Sequence, residues 1–290
     1  MEAAALLAEH QAAGRAVDVG GVSTFVRDEG GGPDAQTVLL VHGVPVSSWV
    51  WRRLLPALAA RGLRAVAPDL PGTGLSGRPE HFDYSWTGLG RHLTATVEAL
   101  GLDAVHLVVH DIGGPVGFEF AAAVPERIRS VTVLDTIVTA HTFRKPWPMA
   151  PFAVPVLGGL WLRGTSRLVL RTLIRTIGLV PGSIVSNAEI DVHHRLLRQT
   201  DGGKAFLKIM RSFETTADKT RLYSGVLAAE GRPVQVLWGR DDPALRADHH
   251  GKIAAHAAGI PGPTLLPGRH FLMEDSPEPI AEHVAGLVTR

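Results

Sequence analysis

The segment Leu107-Val108-Val109-His110-Asp111-Ile112-Gly113-Gly114 decides how the rest of the chain is read. An apolar, β-branched run reads as a buried strand, and it ends on a charged residue followed by a glycine pair and the helical stretch from Gly114 to Val124. A sharp strand-to-helix bend lifts the side chain at the bend above the sheet in a strained backbone conformation. Glycines just after it let neighbouring backbones pass closely. Here the residue at the bend is an aspartate. Aspartate after a strand also serves as an ordinary helix N-cap, so the remaining chain has to separate the two readings.

Working outward, short β-branched runs alternate with longer helical patterns. Thr37–Val41 reads as a strand with a helix from Ser48 to Ala60 after it. Leu63–Asp69 is the next strand, a Gly/Pro-rich loop runs to Pro79, and a helix spans about Trp86 to Leu100. Ala104–His110 and Val131–Asp135 are strands on either side of the helix after the bend. Pro233–Trp238 and Thr264–Leu266 are strands near the end, with helices at Ala247–Ala258 and Pro279–Val288. Such alternation predicts an α/β fold, a mostly parallel sheet covered by helices on both faces. It stops between about Ile137 and Ala229, where only helical patterns occur. The expected organisation is therefore a core in two parts, 1–137 and 230–290, with a helical cap over 138–229.

Composition narrows the function. At 290 residues the chain can bury roughly 75% of its unfolded surface without staples. It has no cysteine, which excludes disulfides, thiolate metal sites and a cysteine nucleophile. A net charge of +1 argues against nucleic acid or an anionic membrane as partner. The apolar stretch Pro146–Leu162 is interrupted by prolines and too short to span a bilayer. The N-terminus, with Glu2 and Glu9, lacks the pattern of a signal peptide. A cytoplasmic protein without cofactor is the expectation, and oligomeric state is not legible.

Further motifs join the bend. His42-Gly43-Val44-Pro45 follows a strand where the backbone N–H groups of Val44 and Ile112 would form an oxyanion hole. Asp69-Leu-Pro-Gly72-Thr-Gly74-Leu-Ser76 reads as a structural loop. Leu237-Trp-Gly239-Arg-Asp241-Asp242-Pro243 puts acids at a strand end, and Pro267-Gly-Arg-His270 puts a histidine in the last loop. Nucleophile, acid and histidine in that chain order are the order of α/β-hydrolases.

Taken together, His42–Trp51, Asp69–Ser76, Val108–Gly114, Trp238–Pro243 and Gly268–Asp275 resemble the aspartate-nucleophile branch of the α/β-hydrolase superfamily, the epoxide hydrolases and haloalkane dehalogenases. The resemblance implies an α/β-hydrolase fold with an inserted cap and a two-step hydrolase. Asp111 would form an alkyl ester and His270 would activate water to hydrolyse it. Asp242 would orient His270, with Asp135, at the end of another strand, as the alternative acid.

Departures from the pattern bear on the leaving group. Dehalogenases hold the halide with a tryptophan after the nucleophile and often an asparagine after His-Gly; here Ile112 and Val44 stand there, and neither side chain donates a hydrogen bond. Epoxide hydrolases use cap tyrosines as acids, yet Phe206 stands where one is expected. Tyr223, His141, His193, His194 or Trp161 would have to serve, with Tyr223 favoured. The expected reaction is epoxide hydrolysis to a diol on an apolar small molecule. Haloalkane dehalogenation or another C–O cleavage is the alternative, and a ligand-binding protein on the same scaffold is the rival of another class. His193-His194 and His249-His250 lack metal-site spacing and read as solvated. Arg163, Arg167, Arg171 and Arg175 read as one solvated helix face, with Leu168, Leu170, Leu173 and Ile174 turned inward.

Overall fold

Alternation of side chains along each strand builds the two faces of the core. In the computed structural model, which describes residues 1–32 and 34–289, Leu39 and Val41 join one apolar cluster. Their neighbours Val38 and Leu40 join the other. Both sets are fully buried, as expected for a strand covered on both sides. The strands are β1 (Gly14–Val19), β2 (Val22–Gly30), β3 (Thr37–Val41), β4 (Arg64–Pro68), β5 (Val105–Asp111), β6 (Ile128–Thr136), β7 (Val234–Gly239) and β8 (Thr264–Leu266). They form one sheet in the order β1-β2-β4-β3-β5-β6-β7-β8. All neighbours from β4 to β8 are parallel, while β2 is antiparallel to β1 and β4.

The hairpin β1–β2 is absent from the sequence reading. Gly20 and Gly21 both adopt left-handed φ values, +59° and +82°, as a two-residue hairpin turn between twisted strands requires. The expected helix from Ser48 to Ala60 also divides. A 3-10 turn, Ser48–Trp51, precedes a helix that starts only at Leu54. Pro56 lacks an N–H and is tolerated only in a first turn, which sets that start.

The helices are α1 (Glu2–Ala12), α2 (Leu54–Ala59), α3 (Trp86–Ala99), α4 (Gly113–Ala123), α5 (Leu157–Gly164), α6 (Arg167–Leu173), α7 (Asn187–Arg198), α8 (Lys204–Arg211), α9 (Ala217–Leu227), α10 (Lys252–Ala257), α11 (Leu272–Asp275) and α12 (Pro277–Val288). Among the described residues, every element between β6 and β7 is helical, and this segment is called the cap below. None of the described helices is long and apolar enough to cross a membrane.

One carboxylate of the cap meets two arginines of the core. Glu189, in the capping box of α7, accepts from both Arg52 and Arg53 at 2.8 Å. Arg52 also pairs with buried Glu274. This network corrects one expectation: His193 is buried, 3.8 Å from Glu274, rather than solvated. Two further corrections concern the arginine series. Thr165-Ser166 breaks the helix, Ser166 capping α6, so Arg163 and Arg167 do not share a face. Arg171 pairs with Asp191 at 2.6 Å and Arg175 donates to the Val185 carbonyl at 2.7 Å. Leu168 is 70% exposed, not inward-facing.

Candidate active site

The sheet order explains where the site forms. β4 and β5 lie on opposite sides of β3, so the chain leaves β3 in one direction and returns on the other. The crevice at the carboxyl ends of two such strands is where open α/β sheets bind ligands. Val41 is in register with Val109, so two residues further along each chain Gly43 and Asp111 face one another. They meet so closely that a Cβ on Gly43 would lie 2.2 Å from Asp111 Oδ1. Gly113 and Gly114 are equally constrained, since a Cβ would lie 2.2 Å from the Val41 carbonyl and 1.8 Å from Thr136 Oγ1 respectively. Asp111 itself has φ +52°, a left-handed conformation costly for a residue with a Cβ. The bend thus has the strained form expected from the sequence, with the carboxylate on the cavity.

Asp111 Oδ1 accepts the backbone N–H of Val44 at 2.9 Å. Asp111 Oδ2 lies 3.6 Å from His270 Nε2. His270 Nδ1 lies 2.9 Å from Asp242 Oδ2. The other oxygen of Asp242 accepts the N–H groups of Ala244 (2.7 Å) and Leu245 (3.1 Å). The structure therefore brings Asp111, His270 and Asp242 into one chain of contacts.

Charge follows from this geometry. Burial alone would push the carboxyls of Asp111 and Asp242 up, but His270 and backbone N–H donors outweigh it and hold both below the ordinary carboxylate range. Burial likewise opposes charge on His270; the two carboxylates outweigh it and raise its pKa well above the ordinary value. The resting site is an imidazolium between two carboxylates. Removing the Asp111 charge, as esterification does, removes part of what holds that proton.

Asp135 stands next to this chain without joining it. It has φ +30°, is fully buried, and its Oδ1 accepts the Gly239 N–H at 2.9 Å. Burial, and then the neighbouring Asp242 charge, push its pKa well up, against ionisation. The histidine loop is held from two sides. His110 Nε2 donates to the His270 carbonyl at 2.8 Å, and the Phe271 N–H donates to the Gly178 carbonyl of the cap at 2.9 Å. Burial keeps His110 neutral, its pKa near 3.

The inner cavity over Asp111 has a volume of about 70 Å³ and shares Pro45, Met149, Leu170, Leu173 and Ile177 with a larger apolar groove of about 860 Å³ in the cap. The chemistry faces the smaller space, and the groove is its vestibule. Of the side chains on the inner cavity only Asp111, His270 and Lys145 are polar. The cap residues singled out from sequence lie elsewhere. Tyr223 is fully buried under α4, its hydroxyl donating to Glu119 at 3.1 Å. His141 is exposed against Thr220, and Trp161 donates its N–H to the Pro148 carbonyl at 3.1 Å on the outer groove. Phe206 lines that groove edge-on to Phe152, and His194 is half-buried on α7. Lys145 was missed. Its one sequence signal is its position as the last charge before the apolar stretch that begins at Pro146.

Among the described residues no cluster of His, Cys, Asp or Glu could hold a metal ion. Residues 36–277 match the model of the alpha/beta hydrolase fold family. A haloalkane dehalogenase of Mesorhizobium japonicum is 28% identical over 88% of this chain and 84% of its own length. The crystal structure of Cfl2 from Burkholderia cenocepacia superposes with a TM-score of 0.80 at 25% identity, covering 94% of each chain. That of an epoxide hydrolase from Vigna radiata gives 0.75 at 22% identity over 95% of this chain and 97% of its own, a likeness of fold. Sheet order, strained bend and matched span agree: the chain belongs to the alpha/beta hydrolase fold family.

Proposed function

We propose that the protein hydrolyses epoxides to diols through an alkyl ester on Asp111. The observation that carries this reading is the disposition of one carboxylate. Asp111 Oδ1 accepts the Val44 backbone N–H while Oδ2 faces the Nε2 of a histidine held by a second acid. Oδ2 attacks a carbon of the strained ring and the C–O bond breaks, splitting one hard hydrolysis into two easier displacements. The ester carries no charge, so His270 gives up its proton to solvent, regaining one when the Asp111 carboxylate is freed, and in between it is the base for water. Water attacks the ester carbonyl, and the Val44 N–H, already directed at that oxygen, stabilises the oxyanion together with the Ile112 N–H. Asp242 keeps the proton on Nδ1 so that Nε2 can accept.

The apolar lining favours an apolar substrate whose reacting end enters the inner cavity while its body occupies the groove. Ile112 and Val44 offer no side-chain N–H to a departing halide, which favours an epoxide over a haloalkane. The dehalogenase among the relatives keeps haloalkane hydrolysis as the second reading. Intact-mass measurement of His270→Gln with panels of epoxides and haloalkanes tests both. An adduct on Asp111 from epoxides, with diol formed by wild type, is expected. Free halide with no diol would select the second reading, and no adduct from either panel would remove the aspartate nucleophile.

A further inference from the structure

Opening an epoxide requires a proton as well as a nucleophile, because the ring oxygen would otherwise leave as an alkoxide. The in-line geometry of displacement puts that oxygen on the side of the carbon away from Asp111. His270 contacts the attacking carboxylate itself, 3.6 Å from Oδ2, so it lies on the nucleophile's side. The acid has to come from across the cavity, and the tyrosine, histidines and tryptophan that sequence suggested are directed elsewhere.

Lys145 is the remaining polar side chain on the cavity wall. It sits on the segment leading from β6 into the cap, between Phe143 and Pro146, both of which also line the cavity. Its Nζ lies 4.1 Å from the centre of the Phe213 ring, a cation–π contact that holds an ammonium by its face without using its N–H bonds. Among the described residues, no carboxylate lies within ion-pair distance of Nζ, Asp111 included, and no hydrogen bond satisfies it. A half-buried, uncompensated cation at a reaction cavity is costly, unlike the paired Lys219, which meets Glu119 at 2.6 Å.

Resting on the epoxide reading above, we propose that the Lys145 ammonium is the acid that protonates the ring oxygen as Asp111 opens the epoxide. The atoms balance. The Asp111 oxygen forms a bond to carbon, the ring C–O bond breaks with both electrons going to oxygen, and that oxygen takes a proton from Nζ. In the second step water loses a proton to His270 and its hydroxide adds to the carbonyl. The ester C–O bond breaks, and the leaving oxygen takes the proton back from His270. Asp111 emerges as the acid and loses its proton through solvent, which restores the ammonium, so epoxide plus water gives diol. Burial pulls the Lys145 pKa below the ordinary lysine range, in the direction that makes it a better donor.

The experiment measures ester formation by intact mass in the His270→Gln background, where the adduct persists, using a panel of aryl and alkyl epoxides. Lys145→Met and Lys145→Arg are each added to that background. Both are expected to slow adduct formation by roughly 10²–10⁴-fold, the range of a lost general acid. Arginine keeps the charge but not the transferable proton. With native Lys145 the rate should fall as pH rises through the lysine's lowered pKa, and that limb should vanish in Lys145→Met. Equal rates in Lys145→Met, full activity in Lys145→Arg, or persistence of the limb without the lysine would overturn the proposal. Absence of any adduct with Lys145 intact would instead overturn the epoxide reading. Thermal melts of each variant separate lost chemistry from lost folding.

Discussion

Asp242→Asn exchanges one oxygen for an NH₂ and, through its neighbours, reverses the tautomer of His270. Oδ1 of Asp242 accepts two backbone N–H groups, from Ala244 and Leu245. Only the amide oxygen of asparagine can stay there, so the NH₂ turns toward His270 Nδ1, 2.9 Å away. Nδ1 must then accept, and the ring proton moves to Nε2, facing Asp111. A protonated Nε2 cannot take a proton from water. The expected loss in ester hydrolysis is about 10³–10⁴-fold, or about 4–5.5 kcal/mol of barrier. Ester formation uses the Asp111 carboxylate and the acid across the cavity, neither of which this substitution replaces, and continues. Quenched-flow intact mass should therefore find the ester at near-full occupancy and long-lived in the variant. Asp135→Asn provides the contrast. Burial and the Asp242 charge oppose ionisation of that carboxyl, and an amide keeps its bond to the Gly239 N–H, so turnover should stay within roughly threefold, below ~0.7 kcal/mol. Asp242→Asn within tenfold of wild type, or Asp135→Asn as crippled as Asp242→Asn, would refute the assignment of the orienting acid.

Gly43→Ala introduces a Cβ 2.2 Å from Asp111 Oδ1. The ester burst should fall at least about 100-fold, the cost of a misplacement near 1 Å, and an undiminished burst would show that the carboxylate attacks from another position. Tyr223→Phe removes one hydrogen bond to Glu119, which keeps Lys219. Stability should drop by about 1 kcal/mol in denaturant melts with turnover unchanged, and a large fall in turnover would reinstate the tyrosine as the acid. Glu189 is opposed by burial, but Ser186 and Arg52 hold its pKa at about 2, below the ordinary 4.5. A depressed carboxyl stabilises above its unfolded pKa and loses that contribution as pH falls through the folded one. The Tm deficit of Glu189→Gln should be full at pH 6 and shrink between pH 4.5 and 2; a deficit independent of pH would rule out the ion pairs as the cap's tie.

The motifs were legible because their chemistry is local. A strand, a charged residue and two glycines define a strained bend in eight consecutive residues, whereas the close contacts of Gly43 with Asp111 and of Gly113 with the Val41 carbonyl arise from pairing of β3 with β5. The hairpin of β1 and β2 was missed although Gly20-Gly21 marks its turn, because β1 is a largely exposed edge strand with weak alternation. The break at Thr165-Ser166 was missed because four arginines at helical spacing concealed a serine cap.

By itself the sequence determined the α/β alternation, the bend bearing Asp111, and the order of the aspartate, the downstream acid and His270. Each of these rests on periodicity or on neighbours within a few residues. Tertiary structure alone decided which acid touches His270, since Asp135, near the end of β6, and Asp242, three residues after β7, both lie at the carboxyl edge of the sheet and only the turn after β7 brings its acid to the ring. It also directed Tyr223 to Glu119 and Lys145 to the cavity. Those outcomes depend on how cap segments pack over the sheet, a contact between residues far apart in the chain that no local pattern records.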